Sequence, residues 1–238
     1  THVKERLKQG IPPLALNAEQ VTELVELLKS PPSGDEEYIL DLITNRTPAG
    51  VDPAAYVKAA FLTAVAKGET TSPLIDKKHA TKLLGTMLGG YNVESLIGLL
   101  EDPEVGSLAA DGLSHTLLMF NAKHDVIELA ETNENAKRVV DSWSNGEWFT
   151  TKPELPEVIK AIVFRVEGEI NTDDLSPAPD APSRPDIPLH ALAMLKKTMD
   201  DPIGTIEKLK ESGLPVVFVG DVVGTGSSRK SATNSLLW

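Results

Sequence analysis

Apolar positions in the first 150 residues recur at spacings of three and four. Val21, Leu24, Val25 and Leu28 fall on one face of a helix. Asn17 precedes that run and Gln20 follows it by three, the spacing of a reciprocal cap in which each side chain satisfies the other residue's N–H. Pro31-Pro32-Ser33-Gly34 stops the helix. Asp35 starts the next, which contains Ile39, Leu40, Leu42 and Ile43. Asp52-Pro53 places a cap before a proline at the first helical position, where the missing N–H costs nothing, and Gly68 terminates that helix. Asp76 opens a fourth helix that Gly89-Gly90 ends, and Asn92 opens a fifth. Further helical runs cover 108–120, 126–131 and 136–143. Caps recur roughly every 16 to 24 residues with no strand signal between them, as in stacked helical hairpins of the HEAT-like solenoid kind. No clean repeated motif is visible, and an irregular helical bundle is the alternative. Trp143, Trp148 and Met119 are expected in the packing.

The pattern changes near Pro153. Lys152-Pro153-Glu154-Leu155-Pro156 reads as a linker, since two prolines interrupt any helix. Residues 159–166 are rich in β-branched side chains and predict a strand. The stretch from Asn171 to Asp180 predicts an irregular loop because of its prolines and acids. Residues 187–199 and 203–212 predict helices, with Gly213 ending the second. Residues 214–219 predict a buried strand, followed by a glycine loop and a helix from about Lys230. The expected fold is α followed by α/β: an all-helical HEAT-like domain over 1–152 and an α/β unit over 153–238. That unit reads as unfinished, because a further strand normally follows such a helix. The chain is therefore expected to be the N-terminal piece of a longer protein.

The chain has 238 residues and a net charge of −12, enough length for a real core and no composition of disorder. Charge is uneven. From Lys160 onward nine basic and eleven acidic residues give −2, and the other 14 basic and 24 acidic residues give −10. An acidic field of that size disfavours nucleic acid. The N-terminus lacks the apolar stretch of a signal peptide and no run is long enough to span a bilayer, so a cytoplasmic protein with no membrane contact is expected. There is no cysteine, which excludes thiolate ligation of zinc or iron–sulfur by this chain. No two of the five histidines stand at i, i+4, and His79, His115, His124 and His190 read as ordinary surface or core residues. No metal is expected here.

Chemistry concentrates in Val217-Phe218-Val219-Gly220-Asp221-Val222-Val223-Gly224-Thr225-Gly226-Ser227-Ser228-Arg229-Lys230. Gly224 and Gly226 permit positive φ and close backbone approach, the start of a helix offers N–H groups to an anion, and Arg229 adds a planar fork. A dinucleotide site would need a third glycine and a P-loop a Gly-Lys-Ser/Thr, and both are missing. A small-anion site and a serine-capped glycine turn remain.

Gly-Thr-Gly-Ser-Ser-Arg after a strand resembles the glycine-serine-arginine loop of the aconitase swivel domain. Asn171-Thr172-Asp173-Asp174-Leu175-Ser176-Pro177-Ala178-Pro179 resembles that family's Thr-Asp-x-Ile-Ser-x-Ala segment, and Ser183-Arg184-Pro185-Asp186-Ile187-Pro188-Leu189-His190-Ala191 extends it. The helical part from Ile11-Pro12-Pro13-Leu14 resembles the N-terminal HEAT-like domain of the bacterial aconitase B branch, in which the swivel domain lies near the N-terminus. Lys230 and Ser231 depart from the Glu-His that often follows the loop elsewhere in the superfamily, as expected for this branch.

The resemblance implies an aconitate hydratase, a hydro-lyase interconverting citrate and isocitrate through cis-aconitate, with 2-methylisocitrate a further candidate. It implies Ser227 as catalytic base, Arg184, Ser228 and Arg229 as substrate contacts together with Ser227, and Asp173, Gly224 and Gly226 in support. It implies a 4Fe–4S cluster in the full-length parent, held by cysteines outside this chain. By the same resemblance the partners are the tricarboxylate substrates, the downstream aconitase domains and a second copy through the helical domain. Regulatory RNA binding is known in the family, and the charge gives it no support here. The chain alone is expected to be inactive. Two other readings stand beside this one: a protein-interaction or dimerisation module of that enzyme, and a swivel-type small subunit of an isopropylmalate isomerase.

Overall fold

The computed structural model describes residues 2–116 and 121–238. The chain divides into two compact units. One is Leu14–Pro153, and the other is Glu154–Trp238 together with the N-terminal segment through Pro13.

The first unit is helical throughout its described residues: α2 (Ala18–Lys29), α3 (Glu36–Asn45), α4 (Pro53–Ala66), α5 (Lys77–Gly85), α6 (Val93–Leu99), α7 (Gly106–Ser114), α8 (Lys123–Leu129), α9 (Glu134–Asn145) and the single turn α10 (Glu147–Thr150). The expected reciprocal cap of α2 is present, with Asn17 Oδ1 accepting from Gln20 N at 2.9 Å and Gln20 Oε1 accepting from Asn17 N at 3.0 Å. Asp52 and Asp76 cap α4 and α5 through their carboxylates. Val21, Leu24 and Leu28 are buried on the predicted face of α2, and each such side chain contributes about 1.5–3 kcal/mol by leaving water. Helix α4 packs on both α2 and α5, α5 on α7, and α7 on α9. The buried alanines Ala54, Ala55, Ala59 and Ala66 let neighbours approach α4 closely.

Three expectations change. Helix α5 ends at Gly85, ahead of Gly89-Gly90. Asn92 does not cap α6 with its side chain. It is buried and donates to the carbonyls of Leu84 at 2.7 Å and Met87 at 3.3 Å, fastening the end of α5. Trp143 packs against the core and donates from Nε1 to Leu113 O at 3.1 Å, but Trp148 is exposed and sits edge-on to Phe149, because α10 buries nothing. Met119 and the end of the 108–120 run lie outside the described residues.

The second unit begins with α1 (His2–Lys8) and continues after the linker with β1 (Ile162–Arg165), β2 (Glu169–Asn171), α11 (Thr172–Leu175), α12 (Ile187–Ala191), α13 (Pro202–Lys210), β3 (Val216–Val219), β4 (Val222–Thr225) and α14 (Arg229–Leu237). Strands pair as two parallel ladders, β1 with β3 and β2 with β4. Phe164 lies opposite Phe218, their rings edge-to-face with centroids 5.0 Å apart. Phe164, Val166, Ile170, Leu175, Met194, Leu195, Ile206 and Ala232 form the core. Helix α1 is held by Arg6, whose guanidinium donates to both oxygens of Asp186 at 2.5 and 2.9 Å and to Pro12 O at 2.6 Å. That hydrogen-bonded pairing holds the Asp186 carboxyl below the usual carboxylate range.

Here too the sequence-based elements need revision. The strand over 214–219 is not buried on both faces, since Val217 and Val219 are exposed. The helix over 187–199 ends after Ala191, and Leu195 turns with φ +58 to donate its N–H to Asp174 O at 2.8 Å. The segment from Asn171 is not irregular. Asn171 Oδ1 accepts from Asp173 N and Asp174 N while Asp174 accepts from Asn171 N, so the acids that looked like breakers cap α11. A 3-10 stretch, Ala178–Ser183, follows.

No helix or strand lies between Thr150 and Ile162, and Leu155, Val158 and Ile159 are exposed there. Limited proteolysis is expected to cut first between Phe149 and Glu157. Fragments broken elsewhere with this stretch intact would contradict a hinge at that position.

Candidate active site

The loop from Gly224 to Arg229 begins as a strand, because Val222–Thr225 pairs with Glu169–Asn171. The register slips between Ile170 and Asn171: Val223 faces Ile170 and Thr225 faces Asn171. Gly224 is the extra residue of this bulge and has φ +85. Gly226 has φ +104, and a Cβ built on it would run into Thr172 Oγ1. That close approach lets the Thr172 hydroxyl accept from Ser228 N at 3.2 Å. The glycines thus seat the loop on the start of α11.

Ser228 stands at the N-terminus of α14 without capping it through its side chain. One loop N–H is therefore committed to Thr172, and the first-turn N–H groups of α14 are the ones left without helical acceptors. Ser227 and Arg229 are exposed, and neither side chain has a partner among the described residues. Asp173 is exposed on α11, beside Thr172.

Arg184 reaches the same place from the turn before α12. It is half-buried. Nε donates to Ser176 Oγ at 3.2 Å, and Nη2 donates to Ser176 O at 3.2 Å and Ser228 Oγ at 3.4 Å. Its Nη1 makes no bond among the described residues. Helices α11 and α12 both pack on α14. The structure thus joins Arg184 to Ser228 directly, and joins the loop to the Asp173 helix through Thr172.

Sequence reasoning missed a layer beneath these residues. Ser176 and His190 are fully buried, with Ser176 Oγ 2.8 Å from His190 Nε2 and also 2.8 Å from Ser231 Oγ. His190 Nδ1 lies 2.8 Å from Ser183 Oγ. Ser231 Oγ also lies 3.1 Å from Ser228 O. Two polar residues fourteen positions apart carry no periodic signal. Only the fold brings them together.

Burial pushes the His190 ring below the usual histidine range, and the positive charges of Arg184 and Lys196 push it the same way, against Asp180. An unfolded histidine takes a proton near pH ~6.5. As pH falls through that value the unfolded chain binds the proton and the folded chain does not, so stability falls until the folded value is passed. The melting temperature is expected to drop between pH 7.5 and 5.5, and part of that drop should vanish in His190→Gln. An identical pH dependence in the variant would contradict a buried neutral ring.

Among the described residues no helix is long and apolar enough to cross a membrane, and no group of three or more potential ligands could hold a metal. The "Aconitate B N-terminal domain" family model matches residues 1–149, and "Aconitate hydratase 2 N-terminus" matches 161–238. Aconitate hydratase B of Pseudomonas aeruginosa is 62% identical over all of this chain, that of Escherichia coli 58% over all of it, and that of Helicobacter pylori 50% over 99% of it. The chain spans 28–29% of the length of these relatives. With family models covering both units at these identities, the chain belongs to the aconitate hydratase B family, matching its N-terminal region.

Proposed function

We propose that this chain supplies the base and part of the carboxylate-binding surface of an aconitate hydratase that interconverts citrate and isocitrate through cis-aconitate. The observation that carries the reading is the meeting of Arg184 with Ser228, residues 44 positions apart, next to the exposed Ser227 and Arg229. A guanidinium edge, a free serine hydroxyl, a second guanidinium and free helix N–H groups suit a substrate with several carboxylates. Ser227 takes the C–H proton. A serine at its ordinary pKa is a poor base, so the alkoxide needs the N–H groups of α14 and the charge of Arg229 beside it. Arg184 holds a substrate carboxylate through Nη1, and Asp173 orients its neighbours. The fragment turns over no citrate alone, and 2-methylisocitrate fits the same carboxylate-binding groups.

The residues here do not fit an iron–sulfur cluster: the chain has no cysteine, and the described residues offer no ligand group. A 4Fe–4S cluster belongs to downstream domains of the parent, and the steps assigned to Ser227, Arg184 and Arg229 do not run through it. The succession of packing, α4 on α2 and α5, α5 on α7 and α7 on α9, supports a HEAT-like solenoid over the helical unit, with protein contact or dimerisation as its role. Its net charge of −10 favours a protein partner over RNA.

The test is Arg184→Lys in the full-length, cluster-loaded enzyme. Lysine keeps the charge and loses the fork, so KM for citrate should rise about tenfold, with kcat less affected. An unchanged KM removes Arg184 from substrate binding.

A further inference from the structure

We propose that His190 is a positioning residue, which fixes Arg184 for the substrate carboxylate through Ser176. The inference rests on the proposed role of Arg184.

Proton counting gives the direction of each bond. Ser183 Oγ donates its hydrogen to Asp180 O at 2.7 Å, so it can only accept from His190, and Nδ1 carries the ring proton. A second proton on Nε2 would place a cation in a buried site near Arg184, which is costly. The ring is therefore neutral, and Nε2 accepts the hydrogen of Ser176. With that hydrogen directed at the ring, Ser231 Oγ at 2.8 Å donates to one lone pair of Ser176 Oγ, and the other is left for Arg184 Nε at 3.2 Å. The carbonyl of the same residue takes Nη2. Two acceptors on one buried residue set the plane of the guanidinium, leave Nη1 free and keep Nη2 near Ser228. Without His190 the Ser176 hydroxyl loses the acceptor that fixes its hydrogen and turns instead to Ser231 Oγ at 2.8 Å, so the lone pairs that face Arg184 Nε are no longer set by the ring.

The two amide replacements divide the ring's functions. Gln reaches the position of Nε2 and keeps a link to Ser176, whereas Asn reaches only that of Nδ1 and keeps the link to Ser183. In the full-length, cluster-loaded enzyme the readouts are KM and kcat for citrate and the inhibition constant of tricarballylate, which has three carboxylates and no hydroxyl. His190→Asn is expected to raise KM and the inhibition constant about tenfold, the scale of one hydrogen bond to a charged group, with a smaller change in kcat. His190→Gln should remain within about threefold of the natural protein. If His190→Asn fails to fold, Ser176→Ala removes the same acceptor without altering the ring's packing and should raise the inhibition constant similarly. Constants unchanged in His190→Asn or Ser176→Ala while Arg184→Lys raises them would overturn the positioning role alone. Equal impairment of the Asn and Gln variants would also overturn it, marking a packing role. An unaffected inhibition constant in Arg184→Lys would remove both the role of Arg184 and the inference built on it.

Discussion

Ser227→Ala in the full-length enzyme is expected to lower kcat by about 10²–10⁴-fold and to leave KM nearly unchanged. A base matters only while the proton moves, so its loss raises the barrier without weakening the bound substrate. The geometry favours Ser227 over Ser228 for this task. Ser228 lends its N–H to Thr172, and its hydroxyl lies near Arg184, whereas the Ser227 hydroxyl is exposed and unpartnered among the described residues. Arg229 begins α14, directly after Ser228, in reach of both an alkoxide and a carboxylate, so Arg229→Lys should damage kcat and KM together. None of these side chains supports the core, and circular dichroism and melting curves of both variants should match the natural protein. A Ser227→Ala enzyme with near-normal kcat, intact cluster and intact fold would show that the loop is an anion clamp and the base lies elsewhere.

Much of the helical unit is legible in the sequence because its signals are local. Asn17 with Gln20, Asp52 with Pro53 and Asp76 each mark a helix start within four residues, and the structure places a cap at each. The second unit is less legible because its elements are short and decided at long range. Strand β4 is only Val222–Thr225 and exists because β2 lies beside it, so reading the glycines as a loop missed that Gly224 is the bulge of a strand. Composition misled at Asn171: three aspartates and two prolines suggest irregular chain, yet Asn171 and Asp174 satisfy each other's backbone and start a helix. The loop itself was visible as a motif, along with Arg184. Its partners Thr172 and Ser176 were not singled out, and His190 was read only as an ordinary surface or core residue, since a buried serine or histidine differs from an exposed one only in its fold.

The glycine at 226 is predicted to be nearly as sensitive as the base, for a different reason. At φ +104 an L-residue is strained by about 1–3 kcal/mol. A Cβ there also meets Thr172, and forcing an atom into a packed contact costs about 1–3 kcal/mol more. Thr172 is itself buried and holds Ser228 N, so it cannot yield without moving the loop that carries Ser227 and Arg229. A displacement on the order of 1 Å at such a site costs about 10²-fold in rate. Gly226→Ala should therefore lower kcat/KM by about 100-fold and lower the melting temperature. Gly224→Ala is the control: φ is +85, but the space around a Cβ is open, so only the strain remains and the loss should be several-fold smaller. The two contributions separate in a cycle with Thr172→Ala, which removes the hydroxyl that the new Cβ would strike. Relative to Thr172→Ala alone, adding Gly226→Ala should cost less than it does in the natural protein, because the clash is gone and only the strain is left. Strictly additive losses, or a Gly226→Ala enzyme with normal kcat/KM and melting temperature, would mean that the loop does not need its close seat on Thr172.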